Sequence, residues 1–115
     1  MTRNDYLTVA LDASTGSTLW AKPYASQGDG ADNATSVATS PDGSAVYVTG
    51  YGSDPVTDDD YATIAYDASA GGELWVNRYT APESFAYSIA VSPDGSKVFA
   101  TGRSNGDYIT VAYAA

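Results

Sequence analysis

The sequence predicts an all-β chain of repeated four-stranded antiparallel sheets, and three observations lead there. A tyrosine-bearing, alternating segment occurs three times. A Ser-Pro-Asp-Gly turn followed by a run of β-branched and aromatic residues occurs twice. Ten tyrosines, eleven glycines and abundant Thr and Val favour strands and turns, whereas strong helix formers are scarce.

The repeat carries most of the information. Asp5-Tyr6-Leu7-Thr8-Val9-Ala10-Leu11-Asp12-Ala13-Ser14 returns as Asp60-Tyr61-Ala62-Thr63-Ile64-Ala65-Tyr66-Asp67-Ala68-Ser69, and again as Asp107-Tyr108-Ile109-Thr110-Val111-Ala112-Tyr113-Ala114. Ser36-Val37-Ala38-Thr39-Ser40-Pro41-Asp42-Gly43-Ser44 matches Ser88-Ile89-Ala90-Val91-Ser92-Pro93-Asp94-Gly95-Ser96. Leu19-Trp20 matches Leu74-Trp75, Tyr24 matches Tyr79, and Val48-Thr49-Gly50 matches Ala100-Thr101-Gly102. Tyr6 and Tyr61 stand 55 residues apart, Tyr61 and Tyr108 only 47. The difference falls in two segments, 25–33 against 80–85 and 51–59 against 103–106, as expected when length varies in loops.

Each unit reads as four strands. One complete set is 34–40, 45–51, 60–67 and 73–79. A second set supplies 86–92, 97–102 and 107–113, and the N-terminal part supplies the pair 5–12 and 17–24. In 60–67, Tyr61, Thr63, Ala65 and Asp67 fall on one face and Ala62, Ile64 and Tyr66 on the other. In Ser-Pro-Asp-Gly, Pro presets its own φ and Gly takes a positive φ. Asp12 and Asp67 open longer hairpin loops, accept bonds from the N–H groups that follow, and leave closure to a glycine. Four strands every ~40–50 residues is the pattern of a β-propeller blade. A Greek-key sandwich is the alternative, but it does not require internal repetition. The expectation is therefore about two blades of a partial propeller: a half blade in 1–24, a complete blade in 34–79 and an incomplete one in 86–115.

Ala10-Leu11-Asp12-Ala13-Ser14-Thr15-Gly16-Ser17-Thr18-Leu19-Trp20 resembles the A-x-D-x-x-T-G-x-x-x-W repeat of the pyrroloquinoline-quinone-type propellers. The second copy, Ala65 to Trp75, carries Ala70 where that repeat has Thr. The resemblance implies that Trp20 and Trp75 are structural and dock against a neighbouring blade. Ser-Pro-Asp-Gly-Ser followed by Val46-Tyr47-Val48-Thr49-Gly50 or Val98-Phe99-Ala100-Thr101-Gly102 resembles the YVTN and WD40-like bacterial propellers. It implies blade architecture more than any activity. The quinone does not carry over. Its enzymes use a vicinal disulfide, a catalytic Asp and calcium within a complete ring, and this chain has no cysteine.

Charge and composition narrow the function. The formal net charge is −9, which disfavours nucleic acid and anionic membrane surfaces as partners. No run approaches the ~18 apolar residues of a membrane span. Residues 1–20 lack a basic start followed by an apolar stretch, so no signal peptide is read. Met1-Thr2-Arg3-Asn4 leads directly into a strand pattern, as expected if the chain starts inside a longer parent. With no histidine and no cysteine, Ser-His-Asp triads, Cys-His dyads and nearly all zinc and iron sites are excluded. No carboxylate pair stands out for glycoside hydrolysis. No catalytic, cofactor-binding or metal residue is assigned.

Two segments and the tyrosines are the candidate sites. Ser53-Asp54-Pro55-Val56-Thr57-Asp58-Asp59-Asp60 offers several oxygens for Ca²⁺, but lacks the EF-hand spacing and reads as a solvated loop. Ser26-Gln27-Gly28-Asp29-Gly30-Ala31-Asp32-Asn33 is Gly-rich, but it has no Gly-Lys-Ser/Thr and reads as a surface loop. Tyr6, Tyr61 and Tyr108, with Tyr24 and Tyr79, read as packing between strands. Tyr51 and Tyr87 do not recur in kind and are the better ligand contacts.

Two function classes stay open. One is a non-catalytic binding or scaffold propeller, secreted or at a bacterial cell surface, whose rim loops meet a protein or glycan. The other is a piece of a propeller enzyme, dehydrogenase-like or lactonase-like, with its active site outside this chain. Two blades also leave apolar faces and sheet edges open, which invites association of copies of the chain through them.

Overall fold

The computed structural model describes residues 6–24, 32–54, 58–79 and 84–115. The described residues form nine strands and no helix, so no helix is long and apolar enough to cross a membrane. The strands are β1 (Tyr6–Leu11), β2 (Thr18–Tyr24), β3 (Asp32–Thr39), β4 (Ala45–Asp54), β5 (Asp58–Asp67), β6 (Glu73–Tyr79), β7 (Ser84–Val91), β8 (Lys97–Ser104) and β9 (Asp107–Ala114). They make three antiparallel sheets in sequence order: β1-β2, β3-β4-β5-β6 and β7-β8-β9.

The strands lie close to the expected spans, with one informative difference. Residues 51–54 and 58–59, expected in a loop, belong to strands. β4 and β5 pair without a register shift from Ala45↔Asp67 to Asp54↔Asp58, so the hairpin ladder runs through most of the acidic segment. Aspartate disfavours strands, which hides this extension in the sequence. An unbroken register carries the backbone pairing onward regardless.

The turns are held by aspartate. In Ser40–Ser44, Gly43 N–H donates to the Ser40 carbonyl, and Gly43 sits at φ 77°. The Asp42 carboxylate accepts from the Ser40 and Ser44 hydroxyls and the Ser44 N–H at 2.7–2.9 Å. Asp94 repeats the pattern with Ser92 and Ser96. In the longer loops, Asp12 accepts from the Ser14 and Thr15 N–H groups, and Asp67 from those of Ser69 and Ala70. The hydrogen bonds from Ser40 and Ser44 hold the Asp42 carboxyl down at about 2. Asp12, Asp67 and Asp94 are lowered for the same reason.

The middle sheet is buried on both faces, and β5 shows it most clearly. Tyr61 through Tyr66 are all at most 2% exposed. Ala62, Ile64 and Tyr66 pack against Tyr6 and Trp20 of the first sheet. Tyr61 packs with Ala86, Ala100 and Tyr113 of the third sheet, and Ala65 with Ile89 and Val98.

One contact joins neighbouring sheets and is used twice. The Tyr6 hydroxyl donates to the Ala62 carbonyl at 3.2 Å, and the Tyr61 hydroxyl donates to the Ile109 carbonyl at 3.1 Å. Ile109 is the sequence counterpart of Ala62. Each hydroxyl passes directly over a glycine: a Cβ built on Gly50 would stand 2.8 Å from the Tyr6 oxygen, and one on Gly102 would stand 2.8 Å from the Tyr61 oxygen. Those Cβ atoms would also overlap the Asn33 and Phe85 carbonyl oxygens. Beside both glycines the partner strand is bulged, at Thr35 in β3 and at Tyr87 in β7. Trp20 supplies a second crossing. Its Nε1 donates to the Ala68 carbonyl at 2.9 Å, and its ring lies over Gly71.

Gly50→Ala and Gly102→Ala are each expected to destabilise the fold by about 3 kcal/mol or more, since backbone, not a mobile side chain, blocks the methyl. Gly72→Ala meets nothing within 4 Å and is expected to be near neutral. Urea melts of the three variants make the comparison. The turn carboxylates give an acid dependence of fixed sign. Their stabilisation is fully present above the unfolded pKa of about 4 and is lost as pH falls towards about 2, where Asp42 titrates in the fold. The melting temperature should drop across that window, and Asp42→Asn should flatten the drop.

Candidate functional site

The four aspartate-held turns lie at one end of the strands. The opposite end gathers the last residues of β2, β4, β6 and β8 with the first residues of β3, β5, β7 and β9. Here the chain places the aromatic residues that do not recur.

Three side chains meet across the seam between the middle and third sheets. Tyr51, near the end of β4, meets the ring of Phe85 edge-on, with centroids 4.9 Å apart and planes at 80°. Arg103 places its guanidinium carbon 5.3 Å from the centroid of the same ring. Strand pairing sets this arrangement, because Phe85 lies opposite Arg103 in the β7–β8 ladder. Tyr51 and Phe85 are half-buried and Arg103 is exposed. The edge-to-face contact and the cation over the ring hold the three groups in fixed relation. The guanidinium keeps its outward N–H donors for a planar acceptor.

Of the two tyrosines singled out from the sequence, Tyr51 belongs to this group. Tyr87 is the bulged residue of β7 and is 49% exposed. Its counterpart Thr35 reaches into the third sheet, donating to the Ala86 carbonyl at 2.7 Å. Tyr87 thus occupies an inter-sheet position on the outer side of the third sheet. Phe85 and Arg103 went unnoticed in the sequence. The signal that could have found them is their cross-strand register, which depends on locating the bulge.

Tyr6 with Tyr24 and Tyr61 with Tyr79 pack ring to ring between paired strands, with centroids 5.4 and 5.9 Å apart, and the hydroxyls of Tyr6 and Tyr61 also reach the next sheet. Burial is the main cause that pushes the Tyr61 hydroxyl up to about 12, with Tyr113, Tyr79 and Tyr87 adding to it. Tyr6 is raised further, again by burial first and then by Asp32. At neutral pH both are protonated donors. Tyr108, the third copy, is 96% exposed. Trp75 lies between Tyr47 and Tyr113, with ring centroids 5.9 and 5.8 Å away.

Among the described residues no group of three or more acidic residues is placed to hold a metal ion. Residues 55–57 and the side chains of 53–60, which made up the calcium candidate, lie outside the described residues, as do 26–31 of the Gly-rich loop. No family model matches the chain, and no curated protein matches it.

Because the Tyr61 pKa is raised in the fold, its stabilisation is complete below the unfolded value of about 10 and is lost as pH rises through about 12; Tyr6, raised further, loses its share at higher pH still. Tyr61→Phe should cost about 1 kcal/mol at neutral pH, the net worth of one hydrogen bond. It should also reduce the loss of stability between those two pH values, read from urea melts at each pH.

Proposed function

We propose that the chain is a stretch of β-propeller of the quinoprotein-like and YVTN-like kind, serving as a non-catalytic binding or scaffold surface. The observation that carries the architectural part is the doubled inter-sheet contact, Tyr6 to Ala62 and Tyr61 to Ile109, each over a glycine. Successive sheets are joined by the same chemistry at equivalent positions, as propeller blades are. Trp20 docked on the Ala68 carbonyl of the next sheet supports the same reading.

The binding part rests on Tyr51, Phe85 and Arg103. An aromatic edge-to-face pair with an exposed guanidinium suits a partner with an apolar face and an oxygen acceptor beside it. An acidic glycan or a carboxylate-bearing protein segment meets that description. The net charge of −9 argues against nucleic acid.

Titration calorimetry with a panel of neutral and uronic-acid oligosaccharides tests this. Wild-type protein is expected to bind members of the acidic set, with Arg103→Ala weakening binding about tenfold or more and leaving the melting temperature nearly unchanged. Equal binding by the variant, or none by wild type, would remove this surface as the binding site.

A further inference from the structure

We propose that Asn105 is a self-modifying site: the Gly106 nitrogen attacks its carboxamide, and the tip of the β8–β9 hairpin gains a carboxylate two residues from Arg103. The modification stands apart from the glycan reading above. Only its effect on binding rests on that reading.

The pair Ser104↔Asp107 closes this hairpin, so Asn105 and Gly106 form its two-residue loop. Among the described residues Asn105 is the only non-glycine with a positive φ, at 50°, and Gly106 follows at 89°. Asn then Gly, both left-handed, is the loop that suits the twist of a two-stranded ladder. Both residues are exposed. Among the described residues, nothing accepts from the Gly106 N–H and nothing bonds the Asn105 carboxamide. A Cβ built on Gly106 would meet nothing within 4 Å, so the loop has room to turn this nitrogen towards Asn105 Cγ. Glycine also puts no side chain of its own in the way and allows the backbone rotation that the approach needs.

Two other turns show what withholds this reaction. Asp42-Gly43 and Asp94-Gly95 place a side-chain carbonyl and a glycine nitrogen at the same spacing. There the Gly43 N–H donates to the Ser40 carbonyl and the Gly95 N–H to the Ser92 carbonyl, each at 2.9 Å. Each carboxylate is also held by three donors from the flanking serines. An ionised carboxylate is a poor target for a nucleophile, whereas a carboxamide is uncharged. Asn33 and Asn77 differ in another way. They stand within β3 and β6, paired with Tyr51 and Thr63, and Ala34 and Arg78 follow them in place of glycine.

The step needs only water. The Gly106 nitrogen gives its proton to hydroxide and bonds to Asn105 Cγ. The Cγ–Nδ2 bond breaks, and ammonia leaves with a proton taken from water, which restores the hydroxide. The cyclic imide then adds water at either of its two carbonyls and opens. One opening leaves aspartate at position 105. The other leaves isoaspartate, in which the chain runs through the side-chain carbon. Either product adds one negative charge to the formal −9 of the chain. Isoaspartate also lengthens the loop by one backbone carbon, and loop length sets the register of a hairpin. Arg103↔Tyr108 is the next pair beyond Ser104↔Asp107. The modification therefore reaches the guanidinium over Phe85 both as charge and as displacement.

Trypsin cuts after Arg103, and the peptide 104–115 holds Asn105 and no other asparagine. Native protein kept in mildly alkaline buffer is expected to convert this peptide from amide to acid, read by mass, at a rate that rises in proportion to hydroxide. Asp42 and Asp94 should stay ordinary aspartate in the same sample and isomerise only in urea-unfolded protein. Asn105→Gly keeps the loop type with Gly-Gly and should leave 104–115 unchanged in mass. An amide at position 105 that survives in native protein and is lost only in urea overturns the proposal, because the fold then protects this site as it protects the aspartates. Asn105→Asp supplies the charge alone and is expected to weaken binding of acidic oligosaccharides about fivefold. Unchanged binding by that variant overturns the effect on the surface. Absence of binding by wild type removes the glycan reading and leaves the modification, which mass alone decides.

Discussion

A hydroxyl that must cross one strand to reach a carbonyl on another needs a gap in the strand it crosses. Gly50 and Gly102 are those gaps, and the tyrosine–carbonyl bonds over them fix how the sheets sit on one another. The bulges at Thr35 and Tyr87 follow from the same constraint, because the neighbouring backbone folds over the glycine where a Cβ would stand. Burial of β5 on both faces follows in turn. A sheet joined to neighbours on either side must be apolar on both, and its strands lose the simple inside–outside alternation.

Burial in this chain therefore depends on position in the stack as much as on residue type. Tyr6 and Tyr61 are enclosed while Tyr108 is open to solvent, although all three occupy the same place in the repeat. The same holds for Ile64, enclosed by the first sheet, and Val9, which lies on its outer side. Outer-face apolarity is a property of the repeated unit, displayed where no described sheet covers it.

The sequence made the local structure legible because turn chemistry is local. Pro, Asp and Gly in Ser40–Ser44 and the Asp-to-Gly loops act over five or six residues, and each holds the bonds expected of it. Alternation located the strands but could not say which side of β5 faced which neighbour. The long β4–β5 ladder was hidden because acidic residues speak for loops, while register is decided by the whole hairpin. The Tyr51–Phe85–Arg103 group was half visible. Tyr51 stood out as a residue that does not recur, but its partners are set by pairing across strands and sheets, over more than thirty positions of sequence.

The double burial of β5 also shapes how the chain loses structure. Contacts run between adjacent sheets, as in a one-dimensional array, so either outer sheet can detach while the middle sheet keeps its other neighbour. Unfolding then begins at the ends of the stack, and β5 opens last. Its amides are expected to exchange most slowly, with protection falling away in both directions along the sequence.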